Sequence, residues 1–374
     1  MRLTRLSLSN FRNYACLTWH PQARISVLVG PNGSGKTNLL EAISLMAPGR
    51  GLRGARVADL LRQGASRGWA VAGRFSRGSR TVDIGTGTLP DGPYDRRVFR
   101  LDGAVPRSQA EIAAHVSCVW LTPQMDRLFL EALSGRRRFL DRLVWALEPH
   151  HAREIAAHDA AMAQRNRLLA DPHSDPAWLA GLEDAMASHA VAATAARLAL
   201  VARLNAAMDR GAAAPFPAAH LGLTCPIAVR LAASPALEVE EWLRVGLGAC
   251  RARDAAAGGA HLGAHRTDMA LSDATSGYPA HRASTGEQRA LLVGLILGHA
   301  ALIAEARGTP PLLLLDEPTA HLDLDRRAAL FSALRRLESQ TLITGIDDET
   351  FVPLRGTAEL LRTGDGKLAL REPR

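Results

Sequence analysis

Only two lysines, Lys36 and Lys367, stand in 374 residues, although lysine and arginine together number 45. Nearly every positive charge is therefore an arginine, the pattern of a GC-rich coding sequence that also favours alanine and glycine. A lysine kept against that bias marks a position where a compact ammonium does what a planar guanidinium cannot. Cysteine is scarce as well: Cys16, Cys118, Cys225 and Cys250 are scattered, and without a C-x-x-C pair they point to no zinc or redox centre and read as buried thiols. No uninterrupted apolar run approaches the roughly 18 to 20 residues of a bilayer span, and the opening MRLTRLSLSNFRNY is polar and alternating, unlike a signal peptide. A cytoplasmic protein with no membrane partner is expected. No internal repeat is present. Hydrophobic residues at 47% suffice for a real core and exclude a disordered chain, and a net charge of +8 favours a polyanionic partner such as nucleic acid.

Two kinds of sequence alternate along the chain. RLTRLSLSNF alternates as a half-buried strand, ARISVLVG is a buried apolar strand ending at Gly30, and GKTNLLEAISLM opens a helix directly after it. Between Pro48 and about Val119 the short pieces WAVAGRF, RTVDIGTG and RRVFRLDG predict a small antiparallel flank. From about Asp126 to Asp209 the character turns to Ala- and Leu-rich helix, with Leu140, Leu143, Val144 and Leu147 at helical spacing. ADPHSDPAW breaks two long helices, which predicts a helical hairpin. Residues 211–235 read as a connector, after which PLLLLDEP and TLIT return to buried strands.

Gly30, Pro31, Asn32, Gly33, Ser34, Gly35, Lys36 and Thr37 fit G-x-x-x-x-G-K-[ST] in the context that motif requires, between a strand and a helix that continues through Asn38. Glycines let backbone N–H groups wrap phosphates, Lys36 reaches the β- and γ-oxygens, and the Thr37 hydroxyl faces magnesium, so ATP and Mg²⁺ are the expected ligands. LLLLDE places Asp316 and Glu317 at the end of a buried strand, where a parallel sheet presents its ligand-facing residues. Asp316 suits the metal and Glu317 the attacking water. ASTGEQRALL predicts a further helix start capped by Ser284, which by its free N–H groups and dipole is also an anion site.

A phosphate loop, a D-E strand end and a serine-glycine helix, in that order, resemble the ATP-binding-cassette ATPases. In that family the serine-glycine helix caps the γ-phosphate bound by a second copy, so the resemblance assigns Ser284 and Gly286 to the partner's ATP and implies an ATP-dependent homodimer. It further makes Asp323, in AHLD, part of the loop at that interface and Gln124, in LTPQ, the glutamine that senses metal and water, beside Glu317 and Lys36 in catalysis. A histidine usual after the last core strand is missing from TLITGIDDETF, which suggests slow turnover. NFRNY, GPNGSGKTNLLEAI, SGRRRFLD and GAHRTD resemble the blocks of the RecF type of SMC-like repair proteins. That resemblance implies an α/β cassette head with a mixed sheet and an antiparallel flank, residues 1–122 and 261–374, and an inserted helical lever, residues 123–260. It also implies a weak, DNA-stimulated ATPase that clamps gapped or junction double-stranded DNA and, with RecO and RecR, promotes RecA loading. Another SMC-like or defence-associated DNA ATPase, a transporter-type or translation-associated cassette protein, and a DNA scaffold without turnover are the rival readings.

Weaker signals remain open. Arg50, Arg53 and Arg56, and Arg136, Arg137 and Arg138 with the nearby Arg142, are candidate DNA contacts, against the alternative of a solvated face. His151, Glu154 and His158 share a helical spacing that a metal could use, but without an H-E-x-x-H pattern a solvated face is the plainer reading. His265 and Arg266, in a block of the resemblance, have no assigned chemistry, and Phe11, Arg12 and Asn13 either border the adenine or pack an edge strand.

Overall fold

The computed structural model describes residues 1–89, 95–129, 132–171 and 173–370. The chain divides into two units. One comprises Met1–Asp126, Gly211–Ala218 and Ser284–Arg374, the other Arg127–Arg210 and Ala219–Ala283.

In the first unit, apolar runs without polar alternation become central parallel strands, because both faces of such strands are covered. β3 (Ile25–Val29), β10 (Leu312–Leu315) and β11 (Thr341–Gly345) are buried at every residue. With β7 (Cys118–Leu121), β12 (Ala358–Gly364) and β13 (Lys367–Leu370) they form a six-stranded sheet in the order β13-β12-β3-β11-β10-β7, antiparallel only at the β12–β13 edge. The alternating strands form a second, wholly antiparallel sheet. β1 (Arg2–Phe11), β2 (Tyr14–Trp19), β4 (Ala70–Arg77), β5 (Arg80–Gly87) and β6 (Val98–Leu101) run in the order β2-β1-β4-β5-β6. Gln340, buried just before β11, ties the two sheets by accepting from Leu3 N (2.6 Å) and donating to Leu3 O (3.1 Å). Helices α1 (Lys36–Leu45), α2 (Gln109–His115), α9 (Thr285–Arg307) and α10 (Leu324–Arg336) complete the unit.

The second unit holds α3 (Leu133–Leu147), α4 (His151–Leu169), α5 (Pro176–Asp209), α6 (Pro226–Leu231), α7 (Ala236–Ala249) and α8 (Arg251–Ala257), with the antiparallel pair β8 (Ala219–Thr224) and β9 (Asp268–Asp273). The expected break between α4 and α5 is there: Asp175 caps α5 by accepting from Ala177 N (2.8 Å), and Pro176 occupies its first turn. Its core gathers Met186, Ala190, Val191, Ile227, Leu243 and Leu247.

Four expectations need correction. Residues 211–235 are not a connector, since only Gly211–Ala218 returns to the first unit and the rest builds β8 and α6. The second boundary lies after Ala283 rather than at 260, because β9 pairs with β8, Leu221 opposite Leu271. Cys118 and Cys225 are buried, but Cys16 is exposed on the outward face of edge strand β2 and Cys250 is half-buried at the α7–α8 junction. Helices α5 and α9 do reach the length and hydropathy of a bilayer span. Alanine supplies much of that hydropathy in α5, while 78% of the apolar window of α9 is buried inside the fold; both helices bury ion-paired charge, Glu183 and Arg197 in α5 and Arg289 in α9.

The second unit depends on such pairs. Arg165, fully buried, donates to Glu183 (3.0 Å), Asp254 (2.7 Å) and the Leu247 carbonyl (2.7 Å), and Arg251 adds a bond of 2.6 Å to Glu183. Burial alone would raise the Glu183 carboxyl, but hydrogen bonds from Arg251 and Arg165 outweigh it and hold the group below its usual 4.5. Stability from that depression is complete above 4.5 and is lost as pH falls through the lower folded value. Removing the shared guanidinium leaves two buried carboxylates short of a partner, with Arg251 alone on Glu183 and His261 alone on Asp254. Arg165→Met is expected to destabilise the protein by about 3–5 kcal/mol, read from denaturant unfolding followed by circular dichroism; a change below about 1 kcal/mol would show the network to be marginal.

Candidate nucleotide-binding site

The loop from Gly30 to Thr37 leaves the C-terminal end of β3 and becomes α1. Glycine is required at two points. Gly35 has φ 104°, and a Cβ there would stand 2.4 Å from Asn13 Nδ2; at Gly30 a Cβ would meet the Thr363 carbonyl at 2.7 Å. Neighbouring strands hold the loop in shape: Tyr14 donates from its hydroxyl to Gly35 O (3.0 Å), Asn13 Nδ2 to Ser34 O (3.3 Å), and Ser34 and Thr363 share a hydroxyl bond of 2.7 Å. Lys36 donates from Nζ to Gly30 O (2.6 Å) and Pro31 O (3.0 Å). Burial lowers its pKa, and the nearby Glu317 and Asp316 carboxylates act in the opposite direction.

Asp316 is buried at the end of β10. Its Oδ1 accepts from the hydroxyls of Thr37 and Thr344, each at 2.8 Å, so three chain segments meet on one carboxylate. Glu317 follows with φ 49°, a left-handed backbone uncommon for a side chain of its size. Its peptide is pinned on both sides, by its N–H to Thr344 Oγ1 (2.9 Å) and by Arg289 Nη2 to its carbonyl (2.8 Å). A cleft of about 200 Å³ is lined by Asn32, Gly33, Ser34, Gly35, Lys36, Thr37, Asn38, Arg53 and Glu317. The donor set suits a nucleotide polyphosphate with a hard cation: loop N–H groups, an ammonium, a hydroxyl and carboxylates. Thr37 and Asp316 would hold magnesium there.

Gln124 stands exposed in the turn Pro123–Arg127 directly after β7, the strand beside β10, and does not line the cleft. Ser284 caps α9 through a reciprocal box: Glu287 N–H donates to its hydroxyl oxygen (3.4 Å), while Ser284 N and Oγ donate to Glu287 Oε2 (2.8 and 2.7 Å). The S-x-x-E spacing carried that signal. A Cβ on Gly286 would approach the His321 carbonyl to 3.2 Å, which sets the first turn of α9 against the loop leading to Asp323, itself the cap of α10 through Arg326 N (2.8 Å).

The arginines separate. Arg53 lines the cleft and bonds Asn38 Oδ1 (2.8 Å) and Glu41 (3.3 Å), beside Arg12, which grips Glu41 with two bonds of 2.9 Å. Arg50, Arg56 and Arg138 are exposed. Arg136 is paired with Asp268 (2.7 Å) and Arg137 donates to the His265 carbonyl, so both are committed inside the second unit. Phe11 is core, packed edge-on against Trp69. His151 pairs with Asp141, Glu154 with His189, and His158 stacks on His265; among the described residues no three potential ligands converge on a metal. Thr344 and Arg289 were not anticipated, since neither lies in a recognisable motif of its own.

A family model described as RecF/RecN/SMC N terminal domain matches residues 2–363. The DNA replication and repair protein RecF of Mesorhizobium japonicum is 45% identical over 372 residues, covering 99% of this chain and 98% of that protein. This chain belongs to the RecF family. A solved structure of the recombination mediator protein RecF with ATP, described in the RecFOR pathway, superposes with a TM-score of 0.83 at 22% identity over 99% of both chains. An SMC head bound to the C-terminal winged-helix domain of ScpA follows at 0.56 and 17%, over 99% of this chain and 97% of that one. Both likenesses are of fold: a RecF- and SMC-head-type α/β ATPase fold with mixed and antiparallel sheets and a helical insert.

Thr344 gives this RecF-family site its sharpest test. Thr344→Val preserves volume while removing the hydroxyl that joins Asp316 to Glu317. At about 1.5–3 kcal/mol for bonds to a charged group, ATP turnover is expected to fall roughly ten- to hundredfold. Binding of a fluorescent ATP analogue, set by the loop, should change by only a few fold.

Proposed function

We propose that this protein is an ATP-dependent DNA clamp of recombinational repair and replication-fork maintenance. The observation that carries the reading is the convergence of Thr37 and Thr344 on Asp316, with Lys36 and Glu317 lining the same cleft. That arrangement suits ATP, and the relatives named for DNA replication and repair, with the solved RecF–ATP likeness, supply the context. Lys36 and the loop N–H groups bind the phosphates, and Thr37 and Asp316 would hold magnesium, which would supply neutralising charge to the leaving diphosphate. Glu317 orients a water and accepts its proton as the oxygen bonds to the γ-phosphorus. The bond to the β–γ bridging oxygen breaks, and ADP and phosphate leave.

Turnover is slow in this reading. After β11 the chain has Asp347 where a phosphate-sensing group would stand, and its carboxylate is occupied by Thr350 N (2.9 Å) and Oγ1 (2.8 Å). Ser284 and Gly286 complete the ATP site of a second copy, Asp323 lies at that interface, and Gln124 senses the metal as the site closes. ATP is then the link of a two-fold dimer, and hydrolysis releases it. The closed dimer holds gapped or junction duplex through arginine–phosphate contacts, Arg50, Arg56 and Arg138 among the candidates. With RecR and RecO it promotes RecA loading, in the cytoplasm and apart from any membrane.

Light scattering with and without ATP·Mg²⁺ tests the reading. Lys36→Met should abolish nucleotide binding and remain monomeric, whereas Glu317→Gln should stop hydrolysis and accumulate the ATP dimer. A Glu317→Gln protein that stays monomeric with ATP overturns the sandwich. DNA affinity of the dimer should fall steeply with salt and little with sequence; an ATP dimer indifferent to DNA would shift the reading to a cassette ATPase driven by another partner.

A further inference from the structure

In the second unit, a fully buried imidazole stacks on a half-buried one. His158 of α4 is fully buried, and His265, in the short turn Ala264–Arg266, stacks on it with ring centres 5.6 Å apart. One nitrogen of each ring has a partner. Asp159 Oδ1 lies 3.1 Å from His158 Nδ1, and the Ala260 carbonyl lies 2.9 Å from His265 Nε2. An ionised carboxylate and a carbonyl only accept, so each of these nitrogens carries its ring's proton, and His158 Nε2 and His265 Nδ1 remain as lone pairs. Both are sealed from solvent, and neither has a hydrogen-bond partner among the described residues.

The two lone pairs flank one point. A Cβ built on Gly263, at φ 138°, would stand 2.7 Å from His158 Nε2 and 2.9 Å from His265 Nδ1, so both nitrogens approach the same side of the glycine. Two buried acceptors converging beside one glycine, neither with a donor, are costly unless an electron-poor species joins them. We propose that His158 and His265 hold one transition-metal ion of the zinc type, a site distinct from the nucleotide cleft.

Spacing favours the ion. Two imidazoles bound to one tetrahedral centre at about 2.0–2.1 Å hold their ring centres roughly 5–6 Å apart, and the observed 5.6 Å falls in that range. The surroundings favour it too. A carboxylate on one histidine and a carbonyl on the other are the partners that fix the tautomer and orientation of metal-bound imidazoles. Asp141 and Asp159 offset the charge of Arg137 nearby. No third histidine, cysteine or carboxylate joins the pair among the described residues, so water fills the remaining positions and the ion is held less tightly than in a four-ligand structural site. Its effect is to fasten the turn that carries His265, whose backbone Arg137 and Arg197 already grip, onto α4.

The test is equilibrium dialysis of the chelator-stripped full chain against Zn²⁺ with metal quantified by mass spectrometry, and Co²⁺ absorption as a report of ligand type. One ion per chain is expected, with affinity reduced at least about tenfold in His158→Gln, His265→Gln and Gly263→Ala, and unchanged in His261→Gln. Histidine ¹⁵N shifts of the unsubstituted protein answer the same question if a variant fails to fold: Zn²⁺ should move Nε2 of one ring and Nδ1 of the other. No saturable ion, or an ion bound equally well by both His→Gln proteins, overturns the site and leaves the two nitrogens to a buried water.

Discussion

The carboxylate of Asp316 accepts hydroxyls from Thr37 and Thr344, residues more than 300 positions apart, and the nucleotide cleft depends on that junction. β3 delivers the phosphate loop, β10 delivers Asp316, and β11 lies between them in the sheet and ends at Thr344 and Gly345. A buried carboxylate is expensive unless its lone pairs are met. Two hydroxyls on one oxygen meet that demand and fix the separation of the strand ends, so the residues proposed to hold magnesium are already in place. The same Thr344 oxygen accepts the Glu317 N–H, which carries the registration one residue further, to the carboxylate proposed to orient the attacking water.

Glu317 shows how a strained residue is kept. Its left-handed backbone persists because both sides of the residue are held, one by Thr344 and one by Arg289. Arg289 is fully buried on α9, one turn from the Ser284–Gly286 start, and it also grips Asp126 and the Thr122 carbonyl beside Gln124. One guanidinium thus joins the helix that begins at Ser284, the turn after β7 and the peptide of Glu317. Movement at any of the three strains bonds at the other two, a contiguous linkage through which the proposed contact at the helix start would reach Glu317.

Much of this was legible because a few patterns admit one physical reading. The glycine loop between a strand and a helix, the buried run ending in Asp316-Glu317, and the serine three residues before Glu287 each specify a local geometry. Thr344 and Arg289 were not legible, since a threonine in TLIT reads as a β-branched core residue and an arginine in an apolar helix as a surface charge. Only the sheet order and burial reveal their partners. The second boundary failed for a like reason: β8 and β9 are short, lie more than 40 residues apart in the chain, and acquire meaning only by pairing. Arg53, equally at home on a DNA surface or a nucleotide cleft by its sequence, is decided by the reach of its guanidinium to Asn38 and Glu41.

The scarcity of lysine finds its reason at Lys36. Its ammonium sits within hydrogen-bond reach of two consecutive loop carbonyls, Gly30 at 2.6 Å and Pro31 at 3.0 Å, in a loop where a Cβ on Gly30 or Gly35 would run into Thr363 or Asn13. A guanidinium is wider, presents its donors in a rigid plane, and cannot rotate three donors about one nitrogen to satisfy two carbonyls and still turn to a phosphate. Burial lowers the lysine's pKa while Glu317 and Asp316 act to raise it, so the acids proposed to hold magnesium and orient water also help to keep the charge of Lys36 in place. A drift toward arginine that reached nearly every other basic position stops where the loop's own carbonyls set the size of the cation.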